Sequence, residues 1–149
     1  MLLRSARDAN EEADADQLRE TADALAINLR HLESAPTPDV VRGLEGESAR
    51  RYFAAFPYLI RSDQRTAFTP DGRSRRPPRD RMNALLSFLY SMLMNDCRTA
   101  LKTVGLDSKL GYLHTVRSGR AALVLDLMEE FRSVLADLLA LTLVNRRHL

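Results

Sequence analysis

Apolar positions in this chain recur at helical spacing in four places, with no convincing strand alternation anywhere. From about Glu12 to Glu33, Leu18, Ala22, Leu25, Leu29 and Leu32 step by four and three, setting one apolar stripe against faces of Asp, Glu and Arg. A second helix is predicted from Thr37-Pro38-Asp39 to about Phe56, with Pro57 behind it. Thr37 suits the N-cap, and Pro38 suits the first turn, where its missing N–H costs nothing. The inward stripe of this helix reads Val41, Glu45, Ser48 or Ala49, Tyr52 and Phe56, so a carboxylate shares a face with aromatics. Gly43 and Gly46 weaken the helix there but allow another backbone close.

A third helix is predicted from about Asp80 to Val104, closed by Gly105. Its middle, Leu85 to Met94, is apolar almost all round, which marks a buried central helix whose Asn83, Ser87 and Tyr90 need polar partners. The last helix is predicted from near Arg120 to about Asn145. Leu123, Leu127, Phe131, Val134, Leu138 and Leu141 supply an apolar face, and Asp126 and Glu129, three apart, share a face beside it. Between the second and third helices, residues 61–81 show no apolar period. They hold Pro70, Gly72, Pro77 and Pro78 with seven arginines (61, 65, 73, 75, 76, 79 and 81), and read as one long basic loop. A second loop, Gly105 to Gly119, carries His114. The expected fold is all-α, a helical bundle of about four main helices.

Composition agrees with that pattern. Apolar residues make up 45% of 149 and charged residues 28%, which is a globular balance. Leu and Ala dominate, and unbranched side chains lose little rotamer freedom in a helix. The net charge of +2 is too small to argue for nucleic acid by itself, so the clustering of arginine is the more telling feature. The lone cysteine, Cys97, excludes an intrachain disulfide and a multi-cysteine zinc site, and suits a small buried apolar position on the third helix. The apolar start, Met1 to Leu3, is too brief for the core of a signal peptide, and no apolar run spans a bilayer. A cytoplasmic protein with no membrane association is expected.

Three places hold metal-ligand chemistry: Glu45 on one helix, His114 on a loop, and Asp126 with Glu129 on the last helix. Nitrogen and carboxylate ligands from separate elements suit Mn²⁺ or Mg²⁺, and the arginines of the basic loop suit a phosphodiester backbone. Ordinary alternatives stand beside each. On the residues alone, Glu45 reads first as a solvent-reaching helix residue, His114 as a loop or capping histidine, and Asp126 and Glu129 as a solvated face. The basic loop also reads as a disordered linker, and Tyr90 as a core aromatic with a satisfied hydroxyl.

Three stretches, taken in order, tip this balance. They are Arg42-Gly43-Leu44-Glu45-Gly46 followed by Ala49-Arg50-Arg51-Tyr52-Phe53; Arg75 through Ser87 followed by Tyr90; and Gly105-Leu106-Asp107, Leu110-Gly111-Tyr112-Leu113-His114 and Leu125 through Arg132. Together they resemble the CRISPR-associated spacer-acquisition integrase family, with phrasing closest to type I members and subtype I-C as the expected subtype. The resemblance covers nearly the whole chain. It implies a divalent-metal-dependent DNA endonuclease and integrase, with Glu45, His114 and Glu129 as metal ligands. It also implies Asp126 as a further acidic group by the metal and Tyr90 as a tyrosine near the reacting DNA. Arg75, Arg76, Arg117 and Arg120 are candidate phosphate contacts, by charge and placement. The implied reaction is transesterification: the 3′-hydroxyl of a short foreign DNA attacks a phosphodiester at the edge of a CRISPR repeat. Relatives work as homodimers bridged by a small second adaptation protein. They carry an N-terminal β-rich domain and continue beyond the helix that ends near Asn145. The expectation for residues 1–149 is therefore the central part of a catalytic helical domain, whose own activity and dimerisation stay open. The alternative is a non-catalytic helical DNA-binding or interaction module.

Overall fold

A computed structural model describes residues 1–2, 12–114 and 121–149. The described residues form helices and no strands. Helix α1 is Glu12–Glu33, α2 is Pro38–Ala55, and a 3-10 turn, Phe56–Leu59, leads to a short α3, Ser62–Phe68. Helix α4 is Arg81–Thr103. The last helical run comprises α5, Ala122–Phe131, a π-helical stretch, Arg132–Asp137, and α6, Leu138–Asn145. Counting that run as one, four long helices build the bundle.

Local chemistry sets several of these boundaries. The Thr37 hydroxyl accepts from the Val40 N–H and Pro38 opens α2. The Asp80 carboxylate accepts from the Asn83 N–H at the start of α4. Gly105 follows α4 at φ 75°, a left-handed conformation that glycine adopts without a Cβ clash.

Helix α1 packs along α2, while α4 packs against α5, the π-helical stretch and α6. Leu18, Phe56, Ile60, Met82, Leu86, Val124 and Val144 are the large apolar side chains wholly removed from water. At about 25 cal/mol per Å² of apolar surface, burial of this kind is the main stabilising term. Asn145 ties two ends together: its side-chain amide donates to the Leu59 carbonyl at 2.9 Å and its oxygen accepts from the Arg61 N–H at 2.9 Å.

Three expectations are corrected here. Residues 61–81 are not one loop, because α3 lies inside them. It forms because Phe68 is buried and because Arg65 bonds both the Ile60 carbonyl and the buried Asp14 of α1. These anchors are tertiary, so no apolar period announces them. The central helix α4 is not buried all round, since Phe88 and Met92 are 62% and 50% exposed. The inward face of the last run keeps Leu123 and Leu127, which are half-buried against the core, and Leu141, which is buried, but not Phe131, Val134 and Leu138. The positions removed from water are Val124, Met128, Ala136, Asp137, Ala140, Leu141 and Val144, while Phe131, Val134 and Leu138 are exposed. A π-helical turn takes more residues than an α-turn, so from Arg132 onward the inward positions leave the α spacing, and Val134 and Leu138 turn outward.

Candidate metal centre

The corner that holds His114 is built by Asp126. One carboxylate oxygen, Oδ2, accepts from the backbone N–H of Tyr112 at 2.6 Å and of Leu113 at 3.2 Å. The other, Oδ1, accepts from the His114 N–H at 3.0 Å and lies 2.7 Å from the His114 Nδ1. Burial pushes the Asp126 carboxyl upward, but the imidazole and the three backbone N–H groups outweigh it and leave Asp126 below its ordinary range. A charged Asp126 favours the tautomer with the proton on Nδ1, which leaves Nε2 as the free ligand or acceptor.

Gly111 makes this approach possible. A Cβ there would lie 2.5 Å from the Ala122 Cβ and 2.9 Å from Asp126 Oδ2. The loop is also held from α2, because Arg42 donates to the Leu113 carbonyl at 3.1 Å. Arg42 stands one turn before Glu45, so a single face of α2 both presents the carboxylate and grips the histidine loop.

Glu45 and Glu129 line one groove of about 460 Å³, together with Tyr52, Leu113, Arg132 and Asp137. The Glu129 carboxyl is pushed up chiefly by burial and further by the charge of Glu45, while Arg132 pulls it down. Arg132 Nη2 lies 2.5 Å from Glu129 Oε1. Of the expected ligand positions, Glu45 and Glu129 share the groove, and His114 is next in sequence to its wall residue Leu113. Among the described residues, however, no three His, Cys, Asp or Glu side chains stand close enough together to hold a metal ion. The donor chemistry still fits a hard divalent cation. Two carboxylates line one partly buried groove, and their mutual repulsion is what a cation relieves, while the His114 imidazole acts on Glu129 from nearby.

Tyr90 does not stand free in this groove. It is buried, and its hydroxyl donates to Asp137 Oδ1 at 2.6 Å, while Tyr52 donates to Asp137 Oδ2 at 3.0 Å. Burial raises Asp137 above its ordinary range, with the two phenols and Arg132 pulling the other way. Two guanidiniums sit over the Tyr90 ring, Arg73 at 5.1 Å and Arg132 at 5.0 Å. Arg73 also donates to Asn83 Oδ1 at 2.7 Å, so the polar groups of α4 find the partners they require. Sequence reasoning missed Asp137, Arg132 and Arg73. The one available signal was Tyr90 on a helix otherwise suited to burial, which demanded an acceptor without naming it.

Arg75 and Arg76 are exposed on the connection between α3 and α4. Arg117 and Arg120 lie outside the described residues. Of the seven arginines of the basic stretch, Arg65 and Arg73 are committed to internal partners, which leaves a smaller basic surface than the sequence suggests.

The family model described as CRISPR associated protein Cas1 matches residues 1–149. The chain belongs to the Cas1 family. It is 55% identical over 149 residues to a CRISPR-associated endonuclease Cas1 of Moorella thermoacetica, covering all of this chain and 43% of that protein. A CRISPR-associated endonuclease Cas1 of Leptospira interrogans is 45% identical, with all of this chain and 58% of that protein covered. The chain therefore spans about half the length of these Cas1 relatives. Among solved structures, a Cas1 protein from Thermotoga maritima superposes with a TM-score of 0.78 at 30% identity, over 99% of this chain and 46% of the other. A casposase bound to integration product superposes with a TM-score of 0.73 at 25% identity, over 97% of this chain and 42% of the other. The all-helical architecture is thus that of the Cas1 helical domain. Among the described residues no helix is long and apolar enough to cross a membrane.

Proposed function

We propose that this Cas1 chain carries the metal-binding core of a DNA endonuclease and integrase that inserts new spacers into CRISPR arrays. The observation that supports it is the pairing of Glu45 and Glu129 in one groove, with its wall residue Leu113 leading directly into His114, whose ring Asp126 holds. Glu45, His114 through Nε2, and Glu129 would hold Mn²⁺ or Mg²⁺. That cation supplies a Lewis acid which stabilises charge developing on the scissile phosphate. Asp126 holds the imidazole by its Nδ1 proton, so Nε2 keeps its lone pair. Tyr90, fixed by Asp137, presents its ring to Arg73 and Arg132 and so gathers positive charge beside the groove. Arg75 and Arg76, with Arg117 and Arg120, are the phosphate contacts of this reading.

The partners follow from the neighbours. A casposase is seen with an integration product, and a chain that superposes on this one with a TM-score of 0.82 belongs to a partial Cas6-RT-Cas1–Cas2 complex. DNA, a Cas2-type protein and a second Cas1 subunit are the partners of this reading. The test is strand transfer on a branched DNA by the purified chain with and without Mn²⁺, beside Glu45→Ala and His114→Ala. Metal-dependent joining that both substitutions abolish, with unchanged melting temperatures, is the expected result. Joining that survives either substitution sinks the assignment.

A second reading, a helical DNA-binding module without chemistry, draws on the spacing of the donors, no three of which, among the described residues, stand close enough to hold a metal ion. It expects salt-sensitive DNA binding that ignores Mn²⁺ and weakens on charge reversal of Arg75 and Arg76. Binding untouched by that reversal would rule it out.

A further inference from the structure

Arg132 sits where a metal would be felt. It opens the π-helical stretch three residues after Glu129, and that stretch ends on Asp137, pinned by two tyrosine hydroxyls. Its guanidinium is held from two sides, by Glu129 Oε1 at 2.5 Å and by the Tyr90 ring at 5.0 Å. The pair is sheltered, with side chains 18% and 26% exposed, unlike the open pair of Arg50 with Glu47 on α2. Yet the seat is imperfect, because the Arg132 Nε is buried with no partner. An N–H withheld from water without an acceptor favours any rearrangement that frees it.

Glu129 is claimed twice, since the carboxylate that would ligate a divalent ion already carries a guanidinium. A dication and a guanidinium on one carboxylate oxygen would repel strongly in a space this poor in water. We propose that Arg132 is the resident counter-ion of Glu129, a built-in competitor that a divalent metal must displace before the site closes. Arg132 opposes the charge that Glu45 exerts on Glu129 across the groove. The proposal rests on the metal-site reading above and adds the group that opposes loading.

The test is a Mn²⁺ titration of the 149-residue chain, followed by the electron paramagnetic resonance signal of free Mn²⁺. The proteins are wild type, Arg132→Gln, Arg132→Lys and Arg75→Gln. Arg75 is the control for bulk charge, because its field reaches Glu129 without the two side chains being bonded. Arg132→Gln is expected to bind Mn²⁺ about tenfold more tightly, the size of an ordinary coupling between two competing ligands. Arg75→Gln is expected to gain less than about twofold, since exposed charge is screened. Equal gains in the two variants, or no gain in Arg132→Gln, overturn the proposal.

Should Arg132→Gln melt early, Arg132→Lys carries the same comparison. It retains the charge but not the flat guanidinium on the Tyr90 ring. An intermediate gain supports competition, and wild-type affinity overturns it. The two readings fail separately. Mn²⁺ binding that is lost in Glu45→Ala but indifferent to Arg132 overturns the counter-ion alone. Absence of Mn²⁺ binding in every variant overturns the metal site and the counter-ion with it.

Discussion

Two aspartates on the last helical run, Asp126 and Asp137, answer the same problem in opposite ways. Asp126 meets three backbone N–H groups and an imidazole, and its carboxyl lies below its ordinary range. Asp137 meets two phenols inside the core, and burial lifts its carboxyl above that range. The residue type is identical, so the difference lies in the donors. N–H dipoles and an imidazole stabilise an anion near water, whereas two phenols do not fully replace the water that Asp137 has lost. Asp126 therefore works as a charged group that orients a ligand. Asp137 works as a strut that joins α2, α4 and the π-helical stretch behind the groove.

The contrast breaks most severely at Asp137. Asp137→Ala leaves two phenols without their acceptor and opens a void, so a loss of about 3–5 kcal/mol is expected in urea or thermal unfolding. Unfolding indistinguishable from wild type would show that the strut carries no load.

Asp126→Asn should behave otherwise. The amide still accepts on one side but no longer holds the imidazole proton, so Mn²⁺ affinity and strand transfer should fall about 10–100-fold while the melting temperature moves little. A collapse of stability with no selective loss of metal binding would make Asp126 a structural residue too.

Gly111→Ala probes the same corner from the backbone. The new Cβ would meet the Ala122 Cβ at 2.5 Å, the Ala122 backbone carbon at 2.8 Å and Asp126 Oδ2 at 2.9 Å, and neither Ala122 atom can swing aside. A cost of about 1–3 kcal/mol is expected, together with loss of the Tyr112 and His114 amide protection from hydrogen exchange. Unchanged protection would mean that the loop does not rest on Asp126.

Tyr52→Phe is milder. Asp137 keeps the Tyr90 bond at 2.6 Å and loses the longer one, which predicts about 1 kcal/mol in thermal unfolding. A loss as large as that of Asp137→Ala would show that Tyr52, rather than Tyr90, is the main support.

The smallest effect is a pair of opposed pH slopes. Asp126 has a depressed carboxyl in the folded chain, so its contribution is present above the ordinary value of 3.8 and is lost as pH falls through the folded value. Asp137 has a raised carboxyl, so the folded chain holds its proton more tightly, and stability declines as pH rises from 3.8 through the folded value. Melting temperature followed across that window should lose its acid-side fall in Asp126→Asn and its decline at higher pH in Asp137→Asn. The same slope in both variants would erase the distinction between the two aspartates.

The amino-acid sequence by itself determined the helical class, the extents of α1, α2 and α4 to within a residue or two, and the boundary residues Thr37 and Gly105. These rest on contacts within a turn or two of chain, where spacing is visible as periodicity. It also marked Glu45, His114, Asp126 and Glu129, because recognisable residue strings surround them. Tertiary structure alone decided the rest. Tyr52 and Tyr90 find Asp137 across 85 and 47 residues, and Arg65 finds Asp14 across 51. Short helix α3 exists through such anchors and not through a period of its own. The π-helical stretch moved the inward face of the last helix, from Arg132 onward, off the 3.6-residue pattern. Pairings across such separations leave no trace in local spacing, because only a packed core brings their partners together.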